Sequence, residues 1–256
     1  MRIARYRDGE AARLGVVDGD AVRAAGGELF GALIPGERVG ALADVTLLPP
    51  VAPSKIVAVG LNYADHVAES GPALDLPKEP VIFMKPPSSL LGHGGTILLP
   101  AGAEPVHYEA ELAVVIGRRA RHVRREDAYD YVLGLTCGND VSARNYQQQD
   151  GQWVRAKGFD TFTPLGPWIA TDLRADALAI QSRLNGGVEQ SSNTRHLLFD
   201  VPFLIAFISG VMTLLPGDVI MTGTPAGVGP MHPGDRIEVE VEGIGTLANG
   251  VAAESA

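Results

Sequence analysis

One cysteine is present among 256 residues, so Cys137 has no partner for an intramolecular disulfide. Residues 1–30 contain no apolar signal-peptide core, and the two absences together give the expectation of a reducing, cytoplasmic setting. Positive charge is also scarce, because 21 Lys and Arg stand against 30 Asp and Glu for a formal net charge of −9. Nucleic acid and anionic membrane both call for a positive surface, so neither is expected as a partner. Arg118, Arg119, Arg121, Arg124 and Arg125 do form a basic run, but Glu126 and Asp127 follow it directly, which reads as a solvated connection. The sequence has no apolar run long enough for a membrane span. The longest, over residues 201–215, is broken by Pro202, Ser209 and Gly210 and reads as a buried helix. Internal repeats and low-complexity segments are missing too, as are the Lys-Ser/Thr ending of a P-loop and the glycine spacing of a dinucleotide fingerprint.

Turn-forming residues are abundant, with 31 Gly and 18 Pro. Residues 1–50 read as a small N-terminal β unit, in which two strand-like runs flank Asp18-Gly19-Asp20, a hairpin signal. The segment Leu48-Pro49-Pro50-Val51-Ala52-Pro53-Ser54 is a stiff connector, since each proline fixes its own φ and restricts the residue before it. A boundary is placed there, with a second domain over 51–256. That domain carries short Val/Ile-rich strands, such as 55–59, 80–84 and 235–241, while helical patterns are confined to about 63–70 and 201–212. The expected fold class is mostly β and mixed, with a few short helices.

Within the apolar run 106–117 stand two acids, Glu109 and Glu111. Side chains alternate along a strand, so the two share one face with Cα atoms roughly 6 to 7 Å apart. Tyr108, Ala110, Leu112, Val114 and Ile116 take the other face, and Ala113 and Val115 continue the acidic one, so beyond Glu111 both faces are expected to be covered. Two ionised carboxylates left unpaired there would cost several kcal/mol each, and a hard divalent cation removes that cost. The alternative is an edge strand whose acids meet solvent or arginine. Asp140 adds a third acid at the end of a second buried run, 131–140. Three carboxylates without a nearby His or Cys pair at ligand spacing point to Mg²⁺, Mn²⁺ or Ca²⁺ rather than zinc.

Further candidates lie elsewhere. Asn62 is placed to cap a short helix on which His66 and Glu69 are one turn apart, so Glu69 can orient the imidazole for use as a base. An exposed histidine with a helical ion-pair partner is the competing reading. Lys157 and Lys85 each sit in apolar or aromatic surroundings; either would hold a substrate carboxylate or oxyanion, or pair with Asp160 or a metal-site acid. The glycine-rich segment 219–229 follows a strand and offers backbone N–H groups and the Thr224 hydroxyl to an anionic group.

In sequence order, Gly60-Leu61-Asn62-Tyr63 with His66 and Glu69, Lys85-Pro86, Glu109-Ala110-Glu111, Gly138-Asn139-Asp140 through Arg144, Lys157-Gly158-Phe159-Asp160 and Thr222-Gly223-Thr224 through Gly229 resemble the fumarylacetoacetate hydrolase family. The resemblance covers 55 to about 250. It implies a mixed β-sandwich roll, commonly dimeric, with a divalent ion, usually Mg²⁺, held by Glu109, Glu111 and Asp140. It further implies that His66 with Glu69 activates water or moves a proton and that Lys157 stabilises developing charge. Arg144, Gln147 and Thr224 are implied to contact a 2-oxo acid, and Lys85 stands beside them as a substrate-binding candidate by its own surroundings. The chemistry shared by the family is enolate formation from a metal-chelated 2-oxo acid. The N-terminal unit, the connector and the long 147–157 segment resemble members acting on 2-hydroxyhepta-2,4-diene-1,7-dioate or its carboxymethyl-hydroxymuconate precursor in aromatic-compound catabolism. An isomerase is therefore the expectation, with an acylpyruvate hydrolase or oxaloacetate decarboxylase as the alternative. A calcium-stabilised β-sandwich binding module would have no need of His66, Glu69 and Lys157.

Overall fold

A computed structural model describes residues 1–70 and 75–255. The chain opens with a meander of β1 (Arg2–Asp8), β2 (Ala11–Asp18), β3 (Ala21–Gly27) and β4 (Leu33–Ala41), and β5 (Leu47–Leu48) returns onto β1. Next come β6 (Ile56–Gly60), α1 (Ala64–Ser70), β7 (Val81–Lys85), β8 (Leu90–Leu91), β9 (Thr96–Leu99), β10 (Val106–Tyr108) and β11 (Ala110–Ile116). They are followed by β12 (Val132–Asn139), β13 (Ser142–Ala143), α2 (Arg144–Asp150), α3 (Val154–Lys157) and β14 (Thr163–Ala170). The chain closes with β15 (Ala179–Leu184), β16 (Gly187–Asn193), α4 (Val201–Val211), β17 (Val219–Met221), β18 (Gly229–Pro230), β19 (Arg236–Val241) and β20 (Gly245–Ala253).

The largest sheet runs β4-β3-β2-β1-β14-β12-β11-β17-β6-β7, a second runs β16-β15-β19-β20-β9, and a small third runs β13-β10-β18. This is the expected mostly-β, mixed architecture with few short helices. The N-terminal meander is no separate sheet, because Arg2 and Ile3 of β1 pair with Ala170 and Ile169 of β14. The expected hairpin is present, with Asp18 paired to Ala21 across Gly19 in the left-handed region (φ 60°). Among the described residues, no helix is long and apolar enough to cross a membrane.

β11 is covered on both faces, as its sequence implies. Ala110, Leu112, Val114 and Ile116 join a core with Val57, Val59, Leu204 and Ile208, while Ala113 and Val115 pack with Ile56, Leu165 and Met221. Each fully buried Leu, Val or Ile here contributes about 1.5–3 kcal/mol from apolar burial. The run 106–117 is not one strand, however. It breaks at Glu109, and β10 pairs with β13 and β18 instead, so Tyr108 packs in a third core with Val106, Phe162 and Met231. The break sets Glu109 at the junction of two sheets.

Two helices fall where the periodicity places them. In α4 the Asp200 carboxylate accepts the Phe203 N–H at 2.9 Å and Pro202 occupies the first turn, both standard devices for starting a helix. Arg121 of the basic run donates to the Ser209 and Gly210 carbonyls at its C-terminal end, at 2.5 and 2.6 Å, where a cation opposes the helix dipole. The short α2 and α3 were not expected, because the polar stretch from Arg144 carries no apolar period.

Candidate functional site

Pairing of β11 with β12 sets Ala110 opposite Asn139 and Glu111 opposite Gly138. Two further bonds lock the strand ends: the Glu109 N–H donates to Asn139 Oδ1 and the Asp140 N–H to the Glu109 carbonyl, both at 2.9 Å. This backbone frame brings one oxygen from each of Glu109, Glu111 and Asp140 within 4.8 Å of one another. All three are buried, at 4%, 1% and 1% exposure.

Three cations surround them unevenly. Lys157 Nζ donates to Glu109 Oε2 at 3.0 Å and to Asp140 Oδ2 at 2.5 Å. Arg144 Nη2 lies 2.6 Å from Glu109 Oε1, and Lys85 Nζ donates to Asp140 Oδ1 at 2.5 Å. Glu111 accepts the Gly223 N–H at 2.8 Å, and among the described residues it has no ion pair. Burial, then the Asp140 and Glu109 charges, push its carboxyl well above the usual carboxylate range. Burial opposes ionisation of Glu109 as well, but there Lys157 and Arg144 outweigh it and hold the carboxyl low. Lys157 follows the same logic, with burial more than offset by Asp140 and Glu109, so its ammonium is held above the usual lysine range. The missing positive charge is therefore at Glu111. The donor set fits a hard divalent cation, since all three groups are carboxylates and one of them, Glu111, has no ion-pair partner among the described residues.

A cavity of about 760 Å³ reaches Glu109 and Lys157 and is also lined by His66, Glu69, Arg144, Gln147 and Thr224. His66 Nδ1 lies 3.4 Å from Glu69 Oε2, and Glu69 in turn accepts the Gly227 N–H at 3.1 Å. α1 is thereby tied to the glycine-rich segment. Gly223, at φ 98°, leaves no room for a side chain, because a Cβ there would sit 2.8 Å from the Asn62 Cβ.

Residues 55–252 match the family model described as Fumarylacetoacetate (FAA) hydrolase C-terminal, and residues 1–50 match the model described as Rv2993c-like, N-terminal. The chain belongs to the fumarylacetoacetate hydrolase family. Among solved structures, it is similar to a 2-hydroxyhepta-2,4-diene-1,7-dioate isomerase from Mycobacterium marinum, with 44% identity, a TM-score of 0.92 and 100% of each chain covered. It is also similar to a maleylpyruvate hydrolase from Sphingobium sp. SYK-6 in complex with manganese(II) and pyruvate, with 36% identity, a TM-score of 0.82 and full coverage of both chains. The mitochondrial oxaloacetate tautomerase Fahd2a of Rattus norvegicus is 44% identical over 86% of this chain and 71% of its own length. Isomerases, hydrolases and tautomerases thus share this architecture, and this member of the fumarylacetoacetate hydrolase family is an enzyme.

Two expectations need correction in this family member. Asn62 does not cap α1, which begins at Ala64. Its amide instead donates to the Phe199 and Thr222 carbonyls at 3.0 and 2.7 Å and accepts the Phe199 N–H at 2.8 Å, pinning the chain ahead of α1 to the end of β17. Lys85 does not line the cavity. It is 1% exposed and its ammonium is taken up by Asp140 and the Val141 carbonyl, so of its two readings, pairing with a metal-site acid is the one present. Lys157 likewise pairs with Glu109 and Asp140 rather than Asp160.

Other residues gave no local signal. Gln190, fully buried in β16, accepts the Ala110 N–H at 2.9 Å and donates to Thr224 Oγ1 at 2.8 Å, so it holds the Thr224 segment against the start of β11. His107 lines the cavity beside Glu109, its imidazole pushed down to about 4 by burial and by Arg144. A larger cavity of about 990 Å³, lined by Leu42, Leu47, His93 and Trp168 among others, lies between the N-terminal meander and the rest of the chain. Of the three acids, Glu109 lines the smaller one.

Proposed function

We propose that this enzyme relocates a proton on a 2-hydroxy-dienoate diacid, as an isomerase of the 2-hydroxyhepta-2,4-diene-1,7-dioate type in aromatic-compound catabolism. The observation that carries the reading is one cavity that holds both the oriented His66–Glu69 dyad and the Glu109–Lys157–Arg144 end of the buried acid cluster. Glu109, Glu111 and Asp140 would hold Mg²⁺, and the same donors suit Mn²⁺ or Ca²⁺. Such an ion would supply Lewis-acid polarisation of the 2-oxo group. The manganese complex of the maleylpyruvate hydrolase supports a divalent ion in this fold.

The chain's own residues account for the remaining steps. Lys157 and Arg144 bind the carboxylate and oxygen of the acid end, and Gln147 and Thr224 orient it. His66, its tautomer fixed by Glu69, carries the proton: the 2-hydroxy group loses H⁺, the electron pair moves to form the C2 carbonyl, and H⁺ is added at a chain carbon. No atom is gained or lost overall, and the positioned base contributes roughly 10²–10⁴ in rate.

The test is incubation of purified protein with Mg²⁺ in D₂O and the diene diacid, acylpyruvates or oxaloacetate, followed by ultraviolet absorbance and mass. The expected result is loss of diene absorbance with one deuterium on carbon and no other change in mass. Cleavage into two acids would replace this reading with the hydrolase, and release of CO₂ from oxaloacetate with the decarboxylase.

We further propose that the enzyme works in the cytoplasm as a homodimer. Both ends of the long sheet are strands whose outer edge has no partner strand among the described residues, and both carry exposed apolar residues, Ile34 and Val39 on β4 and Val81 and Met84 on β7. A stable two-fold pair needs at least ~1,200 Å² of buried surface, and sedimentation at micromolar concentration distinguishes dimer from monomer.

A further inference from the structure

The cavity lining has two chemistries. Glu109, Arg144, Lys157 and Thr224 are polar, whereas Val59, Leu61, Trp153 and Val228 are apolar. Short acids offer nothing to the second group, so its one aromatic member is informative.

Trp153 is held from several directions. A Cβ on Gly60 would lie 2.5 Å from its Cζ3 and 2.9 Å from its Cη2, so the indole rests directly on the glycine backbone at the end of β6. Phe83 meets it edge-on, with ring centroids 5.2 Å apart at 72°. The next residue after Gly60, Leu61, adopts a left-handed φ of 57°, a strained conformation for a large side chain that persists only where its surroundings enforce it. Asn62 supplies that enforcement through its three hydrogen bonds. Gly60 and Leu61 are therefore a fixed seat for the ring.

Trp153 is also coupled to the acid-binding end. The Lys157 N–H donates to the Trp153 carbonyl at 3.0 Å, so the two residues are one helical turn apart, about 6 Å along the axis. Lys157 Nζ lies 4.9 Å from the Phe83 ring and 5.9 Å from the Trp153 ring. A molecule anchored by its acid end at Lys157 then runs its following carbons past the indole, and an aromatic ring rewards a flat, conjugated partner.

We propose that Trp153, seated on Gly60, is the specificity residue that selects a planar unsaturated chain next to the 2-oxo acid end over a compact acid such as oxaloacetate. The inference rests on the 2-oxo acid reading above and names which member of that class the cavity favours.

The experiment compares Trp153→Ala, Trp153→Phe and Gly60→Ala with wild type, all saturated with Mg²⁺, on the diene diacid and on oxaloacetate. Trp153→Ala is expected to raise KM for the diene diacid about tenfold or more, the scale of a lost aromatic contact, with a change below about twofold for oxaloacetate. Trp153→Phe should retain most of the preference. Gly60→Ala, which deletes nothing but displaces the ring, should mimic Trp153→Ala. A second readout does not depend on turnover: the chain has two tryptophans, so in a Trp168→Phe background the emission is that of Trp153. The diene diacid should shift that emission and oxaloacetate should leave it in place. Equal KM changes for both acids, or emission unmoved by saturating diene diacid, would overturn the proposal. If wild type turns over neither acid, the isomerase reading fails, and the emission titration still decides the role of Trp153.

Discussion

At Glu111 a buried carboxylate meets the Gly223 N–H and, among the described residues, no ammonium or guanidinium partner, and this imbalance makes the residue a sharp probe of the ion. Glu111→Gln keeps the shape and the acceptor for Gly223 while removing the charge. Its melting temperature in chelator should equal or exceed that of wild type, because burial and the neighbouring acids push the Glu111 carboxyl above its usual range and that shift costs stability. Its Mg²⁺ affinity, measured by calorimetry, should fall by about 10² or more, and an unchanged affinity would remove Glu111 from the ion site. His66 makes a different prediction. His66→Ala should lower turnover by roughly 10²–10⁴ with Mg²⁺ affinity nearly intact, since the imidazole contributes a proton path rather than a ligand. A parallel loss of metal binding would mean that His66 belongs to the ion site instead.

Elements matter because β6 and β17 are parallel neighbours, so the segments that follow them, carrying His66 and Thr224, emerge at the same end of the sheet. Asp218 clamps the other end. Its fully buried carboxylate accepts the Ser54 N–H and Oγ–H at 3.1 and 2.7 Å, the Lys55 N–H at 3.1 Å and the Leu215 N–H at 2.7 Å, and pairs with the Lys55 ammonium. Asp218→Ala should cost about 3–5 kcal/mol in urea unfolding, as expected for a broken buried pair. Burial works against this carboxylate, yet the Lys55, Ser54 and Leu215 donors prevail and hold it below the usual range. Its stabilisation is therefore complete above about pH 4, the unfolded carboxylate value, and is lost as pH falls through the lower folded value. A variant with the same acid limb as wild type would show that Asp218 does not contribute there. Much at this scale is legible in the sequence: the alternation along β11, the turn after Asp18, the period of α4 and the convergence of Glu109, Glu111 and Asp140. The break at Glu109 is not, because it arises when β10 pairs with β13 and β18, and no local pattern encodes a partner strand. Gln190 and Asn62 escape for the same reason, since their hydrogen bonds reach residues 80 and 137 positions away. Periodicity reports which face is buried, not what it is buried against.

Across the whole molecule, the acid cluster sits where two sheets meet: Glu109 joins β10 of the small sheet to β11 of the large one, and Asp140 separates β12 from β13 in the same way. An ion held by both would cross-link the sheets, so its occupancy should be visible in global stability as well as in activity. A ligand that binds the folded chain alone adds about 2.7 kcal/mol when present at 100 times its dissociation constant. For a chain of 256 residues each kcal/mol moves the melting temperature by about 2–4 °C. Thorough chelation should therefore lower the midpoint by roughly 5–11 °C relative to saturating Mg²⁺, and Mn²⁺ should restore it in place of Mg²⁺, as befits an all-carboxylate donor set. Glu109→Ala should abolish the difference between chelator and Mg²⁺, because it removes the residue that spans the junction, whereas His66→Ala should preserve it. A midpoint indifferent to chelator and Mg²⁺ in the wild-type protein would mean that the three acids are satisfied by Lys85, Lys157 and Arg144 alone, and the chemistry would then have to proceed without a bound ion.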